Sequence, residues 1–191
     1  MKKETIEIIK KCLKFPGGRS RPDKSFPFIG SVINALELPK NTEILDVGCG
    51  RGSFGYILNT EYNRQFFIDG VEIYPDYIDR DTKAQYREVI FSDFTKTYKD
   101  FMNYDVYLMV DVIEHFEKDK AIEIINFLIE NDKIVIASIP NAPKHWHQSE
   151  SFEAGNIHEK HLYNWNNELV RIHLGLYLVG EFEAIGVYTN A

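Results

Sequence analysis

Residues 44–55 read Ile44-Leu45-Asp46-Val47-Gly48-Cys49-Gly50-Arg51-Gly52-Ser53-Phe54-Gly55. An apolar run reaches an acid at Asp46, turns through Gly48, Gly50 and Gly52, and passes at once into a helical pattern marked by Phe54, Ile57 and Leu58. Strand, glycine turn and helix in that order let backbone approach a ligand closely at a helix N-terminus, where unpaired N–H groups point outward. Side chains on those glycines would block the approach. The stretch therefore implies a nucleotide-like cofactor. Gly50 to Gly55 also satisfies the dinucleotide pattern G-x-G-x-x-G. However, Asp46 sets a negative charge near where a pyrophosphate would lie, and the turn begins at Gly48, directly after the strand. An acid ahead of the glycines suits a zwitterionic ligand carrying an ammonium group.

Outward from this stretch, strands and helices alternate. Strands are expected at 43–47, 66–72, 87–91, 104–110 and 133–139. A helix is expected over 117–130, with Ile122, Ile125, Leu128 and Ile129 on its core face, and another near 165–174. Residues 176–189 read as two more strands around Gly180 or Gly186, and 141–163 as a long polar loop. Continuous apolar strands in such alternation predict a mostly parallel sheet covered on both faces, α/β and doubly wound, with ligands outside the carboxyl ends of the strands. Glu72 ends the second strand. A carboxylate there suits a pair of ribose hydroxyls, as in dinucleotide folds with an acid about 20 residues beyond the glycines.

Leu45-Asp46-Val47-Gly48-Cys49-Gly50-Arg51-Gly52 resembles the first motif of the Rossmann-like S-adenosylmethionine-dependent methyltransferases. The resemblance extends over roughly residues 42–140. It implies a seven-stranded sheet of order 3-2-1-4-5-7-6 in a three-layer αβα sandwich. The cofactor is S-adenosyl-L-methionine, leaving as S-adenosyl-L-homocysteine. Its contacts fall on Asp46, Gly48, Cys49, Gly50, Gly52, Glu72 and Ile73, then Ser92, Asp93 and Phe94, and finally Asp111. In that family an acid placed like Asp93 accepts from the adenine amino group, and Phe91 or Phe94 would cover the ring. Leu-Met-Val-Asp111-Val-Ile-Glu114-His115 resembles the motif that lines the methyl-transfer cavity.

The histidines carry the second signal. All six follow residue 114, and His145, His147, His158 and His161 lie on or beside the polar loop, above the expected cofactor. Neutral imidazole is the usual general base near pH 7. His161, His115 and His158 are the catalytic candidates, with Glu159 beside them, while structural hydrogen bonding of a surface loop is the plainer alternative. Trp146, Tyr163 and Trp165 would either stack on a sugar or base or anchor the loop. Residues 155–165 also resemble a loop in family members found with glycan-modifying enzymes.

A metal site is a further alternative. Asp111, Glu114 and His115 fall at i, i+3 and i+4, on one face of the first turn of a helix, and with His161 they resemble the Glu-x-x-Glu-His…His arrangement of small-RNA 3′-terminal 2′-O-methyltransferases. The first part also resembles ubiquinone-pathway O-methyltransferases. Mixed carboxylate and imidazole ligands suit Mg²⁺ or Mn²⁺. Asp111 departs from that pattern by one methylene, and Asp111-x-x-Glu114 is also a helix-start capping arrangement, so the metal-free reading is preferred.

The chain has 191 residues, 44% of them hydrophobic, which suits a single α/β domain. Residues 1–24 hold eight Lys/Arg and three Asp/Glu, leaving the rest at −12 within a net charge of −7. Residues 1–40 are expected to form an N-terminal helical lid or cap segment, with Ile6, Ile9 and Leu13 on one face of a first helix at 4–14, and 41–191 the cofactor-binding domain; a solvated helix face with a flexible arm is the plainer reading of the basic stretch. The acidic body makes nucleic acid an unlikely partner. Cys12 and Cys49 cannot form a disulfide framework, Glu4 and Glu7 interrupt any apolar leader, and no stretch approaches a membrane span. The expected protein is a cytoplasmic S-adenosylmethionine-dependent methyltransferase acting on oxygen or nitrogen of a polar small molecule or glycan. The alternatives are a metal-dependent RNA-terminal 2′-O-methyltransferase and a non-catalytic cofactor-binding protein. Oligomeric state is left open.

Overall fold

The computed structural model describes residues 22–141, 156–182 and 185–191. In chain order the elements are α1 (Pro22–Ala35), β1 (Glu43–Val47), α2 (Ser53–Glu61), β2 (Phe67–Glu72), α3 (Arg80–Lys83), β3 (Val89–Phe91), α4 (Phe94–Thr97), β4 (Val106–Val110), α5 (Lys118–Glu130), β5 (Ile134–Pro140), α6 (Asn167–Leu169), β6 (Tyr177–Phe182) and β7 (Ile185–Thr189). Short 3₁₀ turns stand at Pro75–Tyr77, Tyr98–Phe101, Ile113–His115 and Ile157–Glu159. The seven strands form one sheet in the order β3-β2-β1-β4-β5-β7-β6. Strands β1 to β5 pair in parallel, and β7 runs antiparallel to both neighbours.

Side-chain alternation divides the core in two, as strands buried on both faces require. Leu45, Val47, Tyr107, Met109, Val135 and Ala137 face Phe94, Ile124, Leu128, Trp165 and Val170. Ile44, Ile68, Val106, Leu108 and Ile136 face Phe26, Ile29, Val32, Ile33, Phe54, Ile57 and Leu58. Helices α1 and α2 thus cover one face, and α4, α5 and α6 the other, giving the three layers. α5 is amphipathic: Ala121, Ile124, Ile125 and Leu128 are buried while charged residues line its outer side. Among the described residues no helix is long and apolar enough to cross a membrane.

Two local expectations change. The helix near 165–174 is one short α-turn followed by a π-helical turn over Val170–Leu174, which ends at Gly175 with φ 64°. The last two strands break between Phe182 and Ile185, at neither glycine. Gly180 sits inside β6 at a register shift, where a Cβ would strike the Phe28 ring at 2.1 Å. Of residues 1–40, those from 22 onward are described; they include α1, whose Phe26, Ile29, Val32 and Ile33 belong to the core. The expected helix at 4–14 lies outside the described residues.

Candidate functional site

Strand order reverses at β1, which has β2 on one side and β4 on the other, so the chain leaves a crevice at their carboxyl ends. A cavity of about 1160 Å³ opens there. Its floor is the glycine turn. Gly48, Gly50 and Gly52 all have positive φ, at 65°, 51° and 76°, a region that glycine enters without steric penalty. A Cβ on Gly48 would also lie 2.7 Å from Val112 Cγ2. The turn is tied to β2: Gly48 N and Cys49 N donate to Val71 O at 2.8 and 3.1 Å, and Gly50 N donates to Glu72 Oε2 at 2.9 Å.

Glu72 is buried at the strand end, with Oε1 accepting from Tyr74 N at 2.8 Å. Burial raises its pKa, and the backbone N–H groups of Tyr74, Gly50 and Ile73 oppose that shift. Asp46 is also buried, and its carboxyl is pushed up to about 7, first by burial, against the lowering effect of the Tyr86 hydroxyl. Ser53 stands at the start of α2 and lines the cavity; its Oγ is buried with no hydrogen-bond partner. An unpartnered hydroxyl beside outward-pointing helix N–H groups favours a carboxylate. An acid for an ammonium, a helix start for a carboxylate and a strand-end acid for a ribose match the polar ends of an aminoacyl nucleoside.

Asp46, Gly48, Cys49, Gly50, Glu72, Ile73, Ser92, Asp93, Phe94 and Asp111 all line this cavity. Gly52 is not among the lining residues. Its Cβ would press on Thr82 Cγ2 at 3.1 Å and on Tyr86 Cε2 at 3.4 Å, so its missing side chain makes room for protein. Asp93 caps α4, with Oδ1 accepting from Thr95 N at 3.1 Å and Thr95 Oγ1 at 2.6 Å, while Oδ2 pairs with Lys96 Nζ at 2.8 Å. Ser92 Oγ bonds Thr97 Oγ1 at 2.7 Å. Phe94 is buried at the cavity wall, whereas Phe91 is about half exposed and lies outside the lining.

His115, His158 and His161 reach the opposite wall. The segment 156–163 arches over the cavity and is tied down at several points. Asn156 is buried, and Tyr77 donates from its hydroxyl to Glu159 Oε1 at 2.7 Å. Leu162 N and Tyr163 N both donate to Glu114 O, at 2.8 and 3.3 Å. His115 Nδ1 lies 3.1 Å from Lys160 O, which fixes the proton on Nδ1 and leaves Nε2 with its lone pair. The His115 and His161 rings meet edge-to-face with centroids 4.9 Å apart. His161 Nε2 is 3.9 Å from Glu114 Oε1. Glu114 is fully buried, and neither carboxyl oxygen accepts a hydrogen bond from another residue. Burial, with Asp111 nearby, drives its pKa well up. Burial, with His115 nearby, drives that of His161 down to about 4, and burial also lowers that of His115.

The four residues of the metal alternative do not converge as a set. Glu114, His115 and His161 bring their ligand atoms within 4.8 Å of one another. Asp111 turns away because it takes φ 54° at the end of β4, and its Oδ1 accepts from Ser138 Oγ at 2.5 Å. No helical face joins it to Glu114, since Ile113–His115 is a 3₁₀ turn and α5 begins only at Lys118. Trp165 is 1% exposed, and Tyr163 packs on it with ring centroids 4.7 Å apart. Trp165 therefore anchors the loop instead of presenting a stacking surface. His145, Trp146 and His147 lie outside the described residues. Sequence reasoning missed Ser53, Tyr77, Tyr86 and Ser138; of these only Ser53 carried a signal, its place at the helix start.

Residues 38–170 match the family model described as a methyltransferase domain. No curated protein sequence matches the chain. Among solved structures, the PH0226 protein of Pyrococcus horikoshii OT3 is similar at a TM-score of 0.63 and 17% identity, over 90% of this chain and 89% of that one. The magnesium protoporphyrin IX methyltransferase of Synechocystis PCC 6803, with bound SAH, gives 0.59 and 16%, over 84% and 78%. The small RNA methyltransferase HEN1 gives 0.57 and 17%, over 91% of this chain and 26% of that one.

Proposed function

The chain belongs to the methyltransferase-domain family, with S-adenosylmethionine as methyl donor, and from that premise we propose that it methylates an oxygen or nitrogen of a polar small molecule or glycan. The observation that carries this reading is the arrangement across one cavity: Asp46, Ser53 and Glu72 on the glycine side, and the imidazoles of His115 and His161, whose pKa values burial lowers, on the other. The bound cofactor supplies an activated methyl group on a sulfonium, so the protein needs little covalent chemistry. Its work is to align the nucleophile and exclude water.

Asp46 would hold the ammonium, the start of α2 with Ser53 the carboxylate, and Glu72 the ribose hydroxyls. Ser92, Asp93 and Phe94 border the remaining space and would hold the adenine, with Ile73 beside the sugar. His161, kept neutral at physiological pH, would take the proton from an acceptor hydroxyl, and His115 would hold its ring edge-on. His158 and Glu159 stand exposed or half-buried at the mouth and would meet the polar acceptor. The segment 156–163 keeps bulk water from the reacting groups. Calorimetry with S-adenosylhomocysteine against NAD tests the cofactor reading. Methyl incorporation into hydroxylated and aminated small molecules, glycans and RNA ends tests the acceptor.

One observation favours a second reading. A buried carboxylate without partners, beside two imidazoles, is a donor set for a divalent ion. In that case Glu114, His115 and His161 would hold a metal that orients an acceptor hydroxyl, as suits terminal methylation of RNA. The net charge of −7 weighs against a nucleic-acid acceptor. Metal analysis and chelation separate the two readings.

A further inference from the structure

Tyr86 lies in the connection between β2 and β3, remote in sequence from the glycine turn, yet its ring is seated directly behind it. The ring is 7% exposed. Its hydroxyl donates to Asp46 Oδ2 at 2.6 Å and accepts from Gly55 N at 3.3 Å. The seat is made of missing side chains. A Cβ on Gly55 would lie 2.6 Å from Tyr86 Cε1 and Cζ, one on Gly52 3.4 Å from Cε2, and one on Gly70 3.4 Å from Cδ1. Gly70 is the register partner of Asp46 across β1 and β2. A glycine inside a strand marks a close approach; at Gly70 a Cβ would meet Cys49 Sγ first, at 2.7 Å, and then the edge of this ring. Two of the glycines in the sequence pattern, Gly52 and Gly55, therefore serve Tyr86 instead of the ligand.

We infer that Tyr86 is a positioning residue for the amino-acid end of the cofactor: its hydroxyl holds the Asp46 carboxyl in place and in the ionised form that an ammonium needs. The inference rests on the reading of Asp46 given above. The groups facing Asp46 account for the effect. Glu72, from β2, opposes ionisation by its charge. Cys49, in the turn, has its thiol pushed well up by burial, and the Tyr86 phenol is likewise pushed up, so both remain neutral. The β4 side is apolar, with Leu108 in register with Asp46. Among the groups acting on Asp46, Tyr86 is the side chain that favours the carboxylate. The donor also fixes one oxygen of the carboxyl.

The test is the affinity for S-adenosylhomocysteine, measured by calorimetry from pH 5.5 to 8.5 in wild type, Tyr86→Phe and Asp46→Asn. Without the hydroxyl, Asp46 protonates more readily. Tyr86→Phe should then bind about tenfold more weakly at pH 7, the loss expected for one hydrogen bond to a charged group, and should recover toward wild type as pH rises. In Asp46→Asn the additional Tyr86→Phe change should have no effect. A loss of equal size at every pH, or no loss at pH 7, overturns the inference. Where wild type itself fails to bind at any pH, the cofactor reading falls and this inference with it. A second measurement does not need ligand binding: ¹³C titration of the Asp46 carboxyl in the ligand-free wild type and Tyr86→Phe, assigned by Asp46→Asn. A midpoint higher in Tyr86→Phe than in wild type supports the inference, and an unchanged midpoint overturns it.

Discussion

His161 Nε2 stands 3.9 Å from Glu114 Oε1, and the His161 ring meets His115 edge-on, so one imidazole borders both a buried carboxyl and a second imidazole. Burial drives the carboxyl pKa well up, and the same cause keeps the imidazole neutral. At that distance no hydrogen bond joins them in the metal-free state. With a metal bound they would instead be a deprotonated ligand pair.

The two states respond differently to chelation. Under the metal-free reading, activity survives a chelator. His161→Ala lowers kcat by about 10²-fold or more, in the range of a general base, while S-adenosylhomocysteine affinity in calorimetry stays within about threefold. Loss of activity on chelation, restored by Mn²⁺, would establish the metal instead.

The same imidazole makes a stability prediction. The His161 pKa in the fold, about 4, lies below its ordinary value of 6.5. Between those values the unfolded chain binds the extra proton, so stability falls as pH drops through this window. His161→Gln, which cannot take the proton, should lose less stability than wild type between pH 6.5 and 4 in urea unfolding. Parallel losses would show that the imidazole is already protonated in the fold.

Glu72 is engaged twice by backbone before any ligand arrives, through Gly50 N and Tyr74 N. Glu72→Ala should therefore do two things: weaken S-adenosylhomocysteine binding at least tenfold by removing a charged acceptor, and lower Tm by freeing the glycine turn. An unchanged affinity beside a lowered Tm would make Glu72 purely structural.

Much of the fold was legible because its signals are local. The apolar run Ile44-Leu45-Asp46-Val47 and the glycines after it place β1 and the turn without tertiary information, and continuous apolar strands imply a sheet covered on both faces. Asp46, Gly48, Cys49 and Gly50, which border the cavity on the glycine side, come from the same stretch. What stayed illegible depends on contacts distant in sequence. Tyr86 sits in the unremarkable run Ala-Gln-Tyr-Arg-Glu, and only the fold sets it against Asp46, 40 residues away. Gly52, one of the glycines that admit it, was attributed to the ligand because a backbone approached by protein reads the same as one approached by cofactor. Asp111 was placed on a helical face by its spacing from Glu114. Its left-handed backbone, held where Ser138 takes the carboxyl, is a tertiary fact.

Asp69 offers a control away from the cavity. It is buried, and it accepts from Arg87 Nε at 3.2 Å, Arg87 Nη2 at 2.5 Å, Tyr104 Oη at 2.8 Å and Glu88 N at 2.9 Å, joining β1 through Glu43 to the start of β3. Asp69→Asn should cost about 2 kcal/mol, the scale of a charged hydrogen-bond network with a half-exposed arginine, read as a lower denaturant midpoint. S-adenosylhomocysteine affinity should be retained. A matching loss of affinity would mean that the sheet transmits strain from Asp69 to Glu72, three residues on.

Tyr77 closes the cavity from the other side. It follows β2, whereas Glu159, which its hydroxyl contacts at 2.7 Å, belongs to the segment after β5, so one hydrogen bond spans the mouth. The Arg51 guanidinium lies over the Tyr77 ring, 5.0 Å from its centroid, steadying the ring from the glycine side. Removing the hydroxyl keeps the ring and its packing, so Tyr77→Phe should leave folding and the chemical step unaltered and release the strap alone. One neutral-to-charged hydrogen bond of about 1.5 kcal/mol corresponds to roughly a tenfold faster escape of bound S-adenosylhomocysteine, measurable by stopped-flow displacement. Amide exchange at Leu162, whose N–H is held by Glu114 O, should accelerate in the same variant. Unchanged escape with unchanged exchange would show that Leu162, Tyr163 and buried Asn156 hold the strap without Tyr77.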